Sequence, residues 1–176
     1  FAQDYANPLA VKERMLSYGS FVWLQSLLGD GWWKQRVVNL VLHAGVVVAL
    51  WGFWREMLRH VEPADEEMHR SPALGVAVGF FALNPVAVYA VAYLVQRSIL
   101  MATLFVVLGL WLFAAALARG KPLLHVAAIA CYALGILSKE HAVLAPLAAV
   151  PIYILVSRPS GKRLAGIAAL GVGIAA

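Results

Sequence analysis

From Val37 to Val156 long apolar stretches alternate with short charged turns, and that pattern leaves few folds open. An α-helix needs about 20 mostly apolar residues to cross the hydrocarbon layer of a bilayer, and several stretches here approach that length. The reading is an all-α, polytopic helical membrane protein. Composition agrees: 62% of residues are hydrophobic, only 13% are charged, and the mean hydropathy is +0.79. That is well above the apolar share of an ordinary soluble domain. The net charge of +5 does not indicate nucleic acid, because the basic residues stand singly between apolar segments and make no groove-sized patch. The single cysteine, Cys131, lies in an apolar run and cannot form an internal disulfide.

In chain order, residues 1–36 form an outer loop in which Met15 to Leu28 is apolar but too short to span. Its Trp, Tyr and Ser content suits a helix lying in the interface, and Trp32-Trp33-Lys34 follows as a headgroup-level anchor. Residues 37–176 form the transmembrane bundle, with spans expected at about 37–58, 72–95, 98–118, 123–137 and 142–157, and an incomplete one from 164 to 176. The second of these is about 36 Å long if wholly helical, and Asn84-Pro85 interrupts it. Proline removes one intrahelical hydrogen bond and biases its predecessor away from helix, which predicts a break followed by a short helix. The stretch from Arg55 to Arg70 is the most charged in the chain and reads as a solvated loop without a catalytic role. The chain begins with Phe1 and stops inside the apolar run ending Ile174-Ala175-Ala176, which suggests a piece of a longer protein.

Topology follows from the turns. Placing the loops at 55–70, 119–121 and 158–163 on one side gathers eight Lys and Arg residues there, which makes that side cytoplasmic. Asp4, Arg36, Arg97, Lys139, Glu140 and His141 then face outward. Arg97 stands between two apolar segments, so it must reach a membrane surface or a wet cavity.

A carboxylate in the first outer loop and cations near the outer ends of later spans suit a reaction on a lipid phosphate. Asp4 would take a proton from the incoming hydroxyl, and Arg97 and Lys139 would hold the phosphate and the charge growing on its leaving oxygen. The alternative is that Asp4 solvates a loop and the two cations anchor helix ends by snorkelling. Adjacent residues on a helix point about 100° apart, so Lys139 and Glu140 serve different partners. His141 is either a helix-start residue or a functional one. Arg36, Asn39 and His43 share a helical face and read as a stripe of interhelical hydrogen bonds. Metal chemistry finds no ligand set: no two histidines stand at ligand spacing beside a carboxylate, so a divalent cation is unsupported and no cofactor is required.

Three motifs carry a resemblance. Arg-Val-Val-Asn-Leu-Val-Leu-His (36–43), Asn-Pro-Val-Ala-Val-Tyr-Ala-Val-Ala-Tyr-Leu-Val-Gln-Arg (84–97) and Leu-Ser-Lys-Glu-His (137–141) stand in an order that resembles the membrane region of the transmembrane and tetratricopeptide-repeat mannosyltransferases. They are also similar to that group's bacterial relatives in the wider protein O-mannosyltransferase set of GT-C glycosyltransferases. The resemblance runs from about Asp4 to Ser157. It implies a GT-C-like, multi-pass enzyme of the bacterial inner membrane, with its site facing the periplasm. Such an enzyme moves a sugar from a polyprenyl-phosphate donor, its lipid-linked partner, to a protein or glycan acceptor. It further implies Asp4 as catalytic base, Arg97 as the arginine after the broken span, and Lys139-Glu140 as the Lys-Glu pair. The chain departs from the family at Asp4-Tyr5, where two acids often stand together, and at Asn84, where histidine often precedes the proline. The competing expectation is a catalytically silent scaffold or accessory subunit docked onto other membrane subunits. A transporter is a third, since a broken span and outer cations can also hold an anion.

Overall fold

The computed structural model describes residues 14–61 and 72–160. Asp4, most of the acidic stretch after Val61, and the expected last span at 164–176 lie outside the described residues. The described chain is all-helical: α1 (Met15–Leu28), α2 (Trp32–Val61), α3 (Pro72–Leu83), α4 (Pro85–Ala92), α5 (Arg97–Arg119), α6 (Pro122–Ser138) and α7 (Ala145–Ser157). Short 3₁₀ turns at Leu94–Gln96 and Glu140–Leu144 lead into α5 and α7.

Three segments among the described residues are long and apolar enough to cross a membrane: Trp32–Val61, Leu94–Arg119 and Glu140–Ser157. The bent pair α3 and α4 makes a fourth if it counts as one span. Large apolar side chains point away from the bundle, among them Phe80, Leu83, Val86 and Leu123, each at least 74% exposed. Apolar surface on this scale belongs against lipid rather than water, and the protein is membrane-embedded.

Helix α5 is the central element, packing most extensively on α6 and α2, and also on α7. Its small residues make this possible. Ala114, Ala115 and Ala116 are almost wholly buried, and a Cβ placed on Gly109 would lie 3.3 Å from the Cβ of Cys131 on α6. Without a hydrophobic drive between helices in lipid, close backbone approach at small residues supplies the packing. Near the end of α2 that carries Val61, Met57, Ala114 and Ile152 form a buried cluster joining α2, α5 and α7.

Long-range contacts fix the direction of each helix. At one end Arg97 meets Gln35 and Ser17 meets Ser138; at the other Arg119 meets Glu56 and Arg158 meets His60. Helix α2 therefore runs from the first end to the second, α3 and α4 return, and α5, α6 and α7 alternate after them. Gly120, with φ of 62°, makes the tight turn from α5 to α6, a conformation that glycine adopts without strain.

The expected span at 72–95 is broken where proline predicts it. Helices α3 and α4 meet at an angle of 46°, and the Asn84 side chain caps α4 by accepting from the Val86 N–H at 2.9 Å. One expectation is corrected. The solvated loop does not begin at Arg55, because α2 continues through Val61 and Glu56 is only 5% exposed. Two guanidiniums make that burial tolerable, Arg119 at 2.9 Å and Arg59 at 3.5 Å, and the His60 ring lies 3.8 Å away.

Candidate functional site

The polar residues of the first end meet around Arg97. A break at Tyr93 and the 3₁₀ turn after it place Arg97 as the first residue of α5, at the positive end of that helix's dipole. A cation gains nothing from that position. Arg97 is nevertheless fully buried, and it is held by neutral acceptors from two other helices. Its Nε donates to Asn39 Oδ1 at 2.8 Å, and its Nη2 donates to Gln35 Oε1 at 2.7 Å and to the Gln35 carbonyl at 2.9 Å. Nη1 donates to Ser20 Oγ on α1 at 3.3 Å, and the Phe21 ring lies 3.8 Å from the guanidinium carbon. Among the described residues no carboxylate pairs with it.

Asn39 and His43 have a second task, set by the broken span. Helix α4 ends at Ala92, which leaves the Val91 carbonyl without an intrahelical partner; Asn39 Nδ2 donates to it at 3.3 Å. At the break, the Val86 N–H turns to Asn84 and leaves the Ala82 carbonyl free. His43 Nε2 lies 3.0 Å from that oxygen, and since a carbonyl only accepts, Nε2 carries the hydrogen. Freed backbone groups at membrane depth are costly unless a neighbour pairs them.

Arg36 does not join this stripe. It is exposed in the first turns of α2, and Gln35 takes its place as the buried polar residue. At its position beside the helix start no second helix covers Arg36. The spacing was in the sequence, because Gln35, Asn39 and His43 succeed one another every four residues, which sets them side by side along α2.

Helix α1 crosses this end and covers Arg97. Ser17, fully buried, donates to the Ser138 carbonyl at 3.0 Å, and Arg14 forms a two-pronged pair with Glu140 at 2.6 and 2.9 Å. The hydrogen bond that Arg14 donates to Glu140 pushes the guanidinium pKa above its ordinary value, so it stays charged at any accessible pH. Glu140 is exposed and also lies 3.7 Å from the His141 ring, which is itself largely exposed. Lys139 is half-buried, and its ammonium has no partner among the described residues. It follows directly on Ser138, so Lys139 and Arg97 flank the turn of α1 that holds Ser17, Ser20 and Phe21.

A cavity of about 400 Å³ opens between α1 and the head of α2, lined by Phe21, Gln25, Asp30, Gly31, Trp32 and Gln35. Phe21 and Gln35 thus face the cavity and also touch Arg97. Sequence reasoning missed these two residues, Ser20 and the Arg14 to Glu140 pair. Nothing in a linear reading brings residues 14–21 next to residues 97 and 138–140. Among the described residues no three His, Cys, Asp or Glu side chains gather as metal ligands. No family model, curated protein or solved structure matches this chain.

Proposed function

We propose that the chain is a GT-C-like membrane glycosyltransferase module that moves a sugar from a polyprenyl-phosphate donor to an acceptor on the outer face of a bacterial inner membrane. The observation that carries the reading is the half-buried Lys139 ammonium, which has no partner among the described residues, at the same end as the Arg97 guanidinium, which no described carboxylate pairs. An ammonium with no counter-ion among the described residues is a candidate seat for an anion, and a lipid phosphate is the anion a bilayer supplies. In the reaction, an acceptor hydroxyl attacks the anomeric carbon as the bond from that carbon to the phosphate oxygen breaks. The acceptor proton passes to Asp4, and Lys139 neutralises the departing phosphate.

A second reading has its own support. Arg97 is wholly enclosed and makes four hydrogen bonds, which is how an arginine that only joins helices is arranged. A catalytically silent scaffold fits that enclosure.

Transfer of labelled sugar from polyprenyl-phosphate donors, in membranes expressing the full-length chain, separates the two. The enzyme reading expects transfer by the wild type and loss of it in Asp4→Asn and Lys139→Ala, with insertion unchanged. Inactivity of the wild type across donors would establish the scaffold instead.

A further inference from the structure

We infer that the cavity between α1 and the head of α2 is a subsite for a neutral pyranose ring, the sugar end of a glycan acceptor. Its role as an acceptor site rests on the proposed glycosyl transfer; its capacity to bind a sugar does not. The volume of about 400 Å³ lies within the range of small-molecule sites.

The lining selects the ligand by charge. Among the described residues Asp30 is the one acidic or basic side chain that lines the cavity, so a phosphate or an acidic sugar meets a carboxylate there. The Arg97 guanidinium lies behind Phe21 and Gln35, fully buried, and does not line the cavity. The polar groups that remain match hydroxyls. Arginine has no acceptor, so the Gln35 atom facing Arg97 Nη2 at 2.7 Å must be the amide oxygen, and the Gln35 NH₂ is left as a donor with no partner among the described residues. Gln25 Nε2 donates to Asp30 Oδ1 at 2.5 Å, which leaves Gln25 Oε1 and Asp30 Oδ2 as acceptors. Asp30 is held in place by its neighbours, since Gly29 and Gly31 have φ of 72° and 142° and make a turn that other residues adopt only with strain. Trp32, 75% exposed, and Phe21 add flat apolar faces suited to the C–H face of a sugar ring. An amide donor, two acceptors and an aromatic wall fit a neutral polyhydroxylated ring.

The full-length chain, purified in detergent, is titrated with the methyl α-glycosides of glucose, mannose and galactose, and binding is followed by saturation-transfer NMR. Gln25, Asp30 and Trp32 are all exposed, so Gln25→Leu, Asp30→Asn and Trp32→Ala leave the fold intact, which an unchanged melting temperature verifies. At least one glycoside should bind saturably, and each variant should weaken it fivefold or more. The inference is overturned if no glycoside binds the folded chain, or if binding survives Asp30→Asn and Trp32→Ala unchanged. It is equally overturned if inorganic phosphate or tetramethylammonium binds there in place of the sugars. Transfer assays on the same preparations keep the two proposals apart. Saturable binding without transfer leaves the subsite standing and removes the enzyme; transfer that the three variants do not reduce removes the acceptor role of the subsite and leaves the enzyme.

Discussion

Asn39→Leu tests the account of Arg97 most directly, because leucine keeps the branched four-atom skeleton of the side chain and removes the polar contacts. Asn39 is fully buried, gives Arg97 Nε its acceptor at 2.8 Å, and donates to the Val91 carbonyl at 3.3 Å. Loss of a hydrogen bond to a buried charge costs about 1.5–3 kcal/mol, and the longer bond to Val91 adds roughly 0.5–1 kcal/mol. The expected destabilisation is about 2–4 kcal/mol, which for a chain of this size lowers the melting temperature by on the order of 5–15 °C. The second half of the test is the pair. Arg97→Met removes the cation whose desolvation Asn39 offsets, so in the double variant the loss of Asn39 has less left to cost. A double-mutant cycle in mixed micelles, read by tryptophan fluorescence, should give a coupling of about 2 kcal/mol. Additive single effects, or an Asn39→Leu variant as stable as the wild type, would refute the hub.

Three further expectations follow from other contacts. His43→Leu leaves the Ala82 carbonyl unpaired at the break in the span, and should cost about 1–3 kcal/mol in the same unfolding assay. Arg119→Ala should destabilise more than Glu56→Ala, because it leaves the buried Glu56 carboxylate without its 2.9 Å partner, whereas Arg119 and Arg59, each 43% exposed, can turn to water when Glu56 is lost. Equal effects in thermal melts would contradict that asymmetry. Gly52→Ala puts a Cβ 2.5 Å from the Trp111 ring; overpacking of this kind costs about 1–3 kcal/mol, and Trp111→Leu should restore the melting temperature by making room.

The helices were legible because lipid allows so little else. Apolar length and the turns at Arg119-Gly120-Lys121-Pro122 and Asn84-Pro85 set the segments, and α5 and α6 fall within a residue of their expected bounds. The Asn-Pro break and the polar stripe on the preceding span were also visible, but as separate features. The structure makes them one device, in which Asn39 and His43 pair the backbone groups that the break releases. What the sequence hid were relations between distant segments. Arg55 and Glu56 read as loop because charge ends a span in isolation, yet Arg119 lies more than sixty positions away and makes a buried Glu56 acceptable. The placement of α1 over Arg97 was hidden for the same reason, since it depends on contacts between distant segments: Ser17 donates to the Ser138 carbonyl, Arg97 donates to Ser20, and Arg14 pairs with Glu140. Of the expected site, Arg97 and Asn39 come together, Lys139 and Glu140 lie at the same end, and Arg36 stands apart.

The separation of Asn39 from Arg97 by 58 positions has a consequence for how the protein is made. Helix α2 leaves the ribosome before α3, α4 and α5, carrying Gln35, Asn39 and His43 on one side, and at that moment lipid offers those amides and that imidazole nothing. Their partners are synthesised later: the carbonyls of Ala82 and Val91, then the guanidinium of Arg97. Until α5 emerges, α2 is a poor solitary insert, best retained at the insertion machinery rather than released into the bilayer. A nascent chain halted before Arg97 should therefore remain crosslinkable to that machinery, and one extended through α5 should let go.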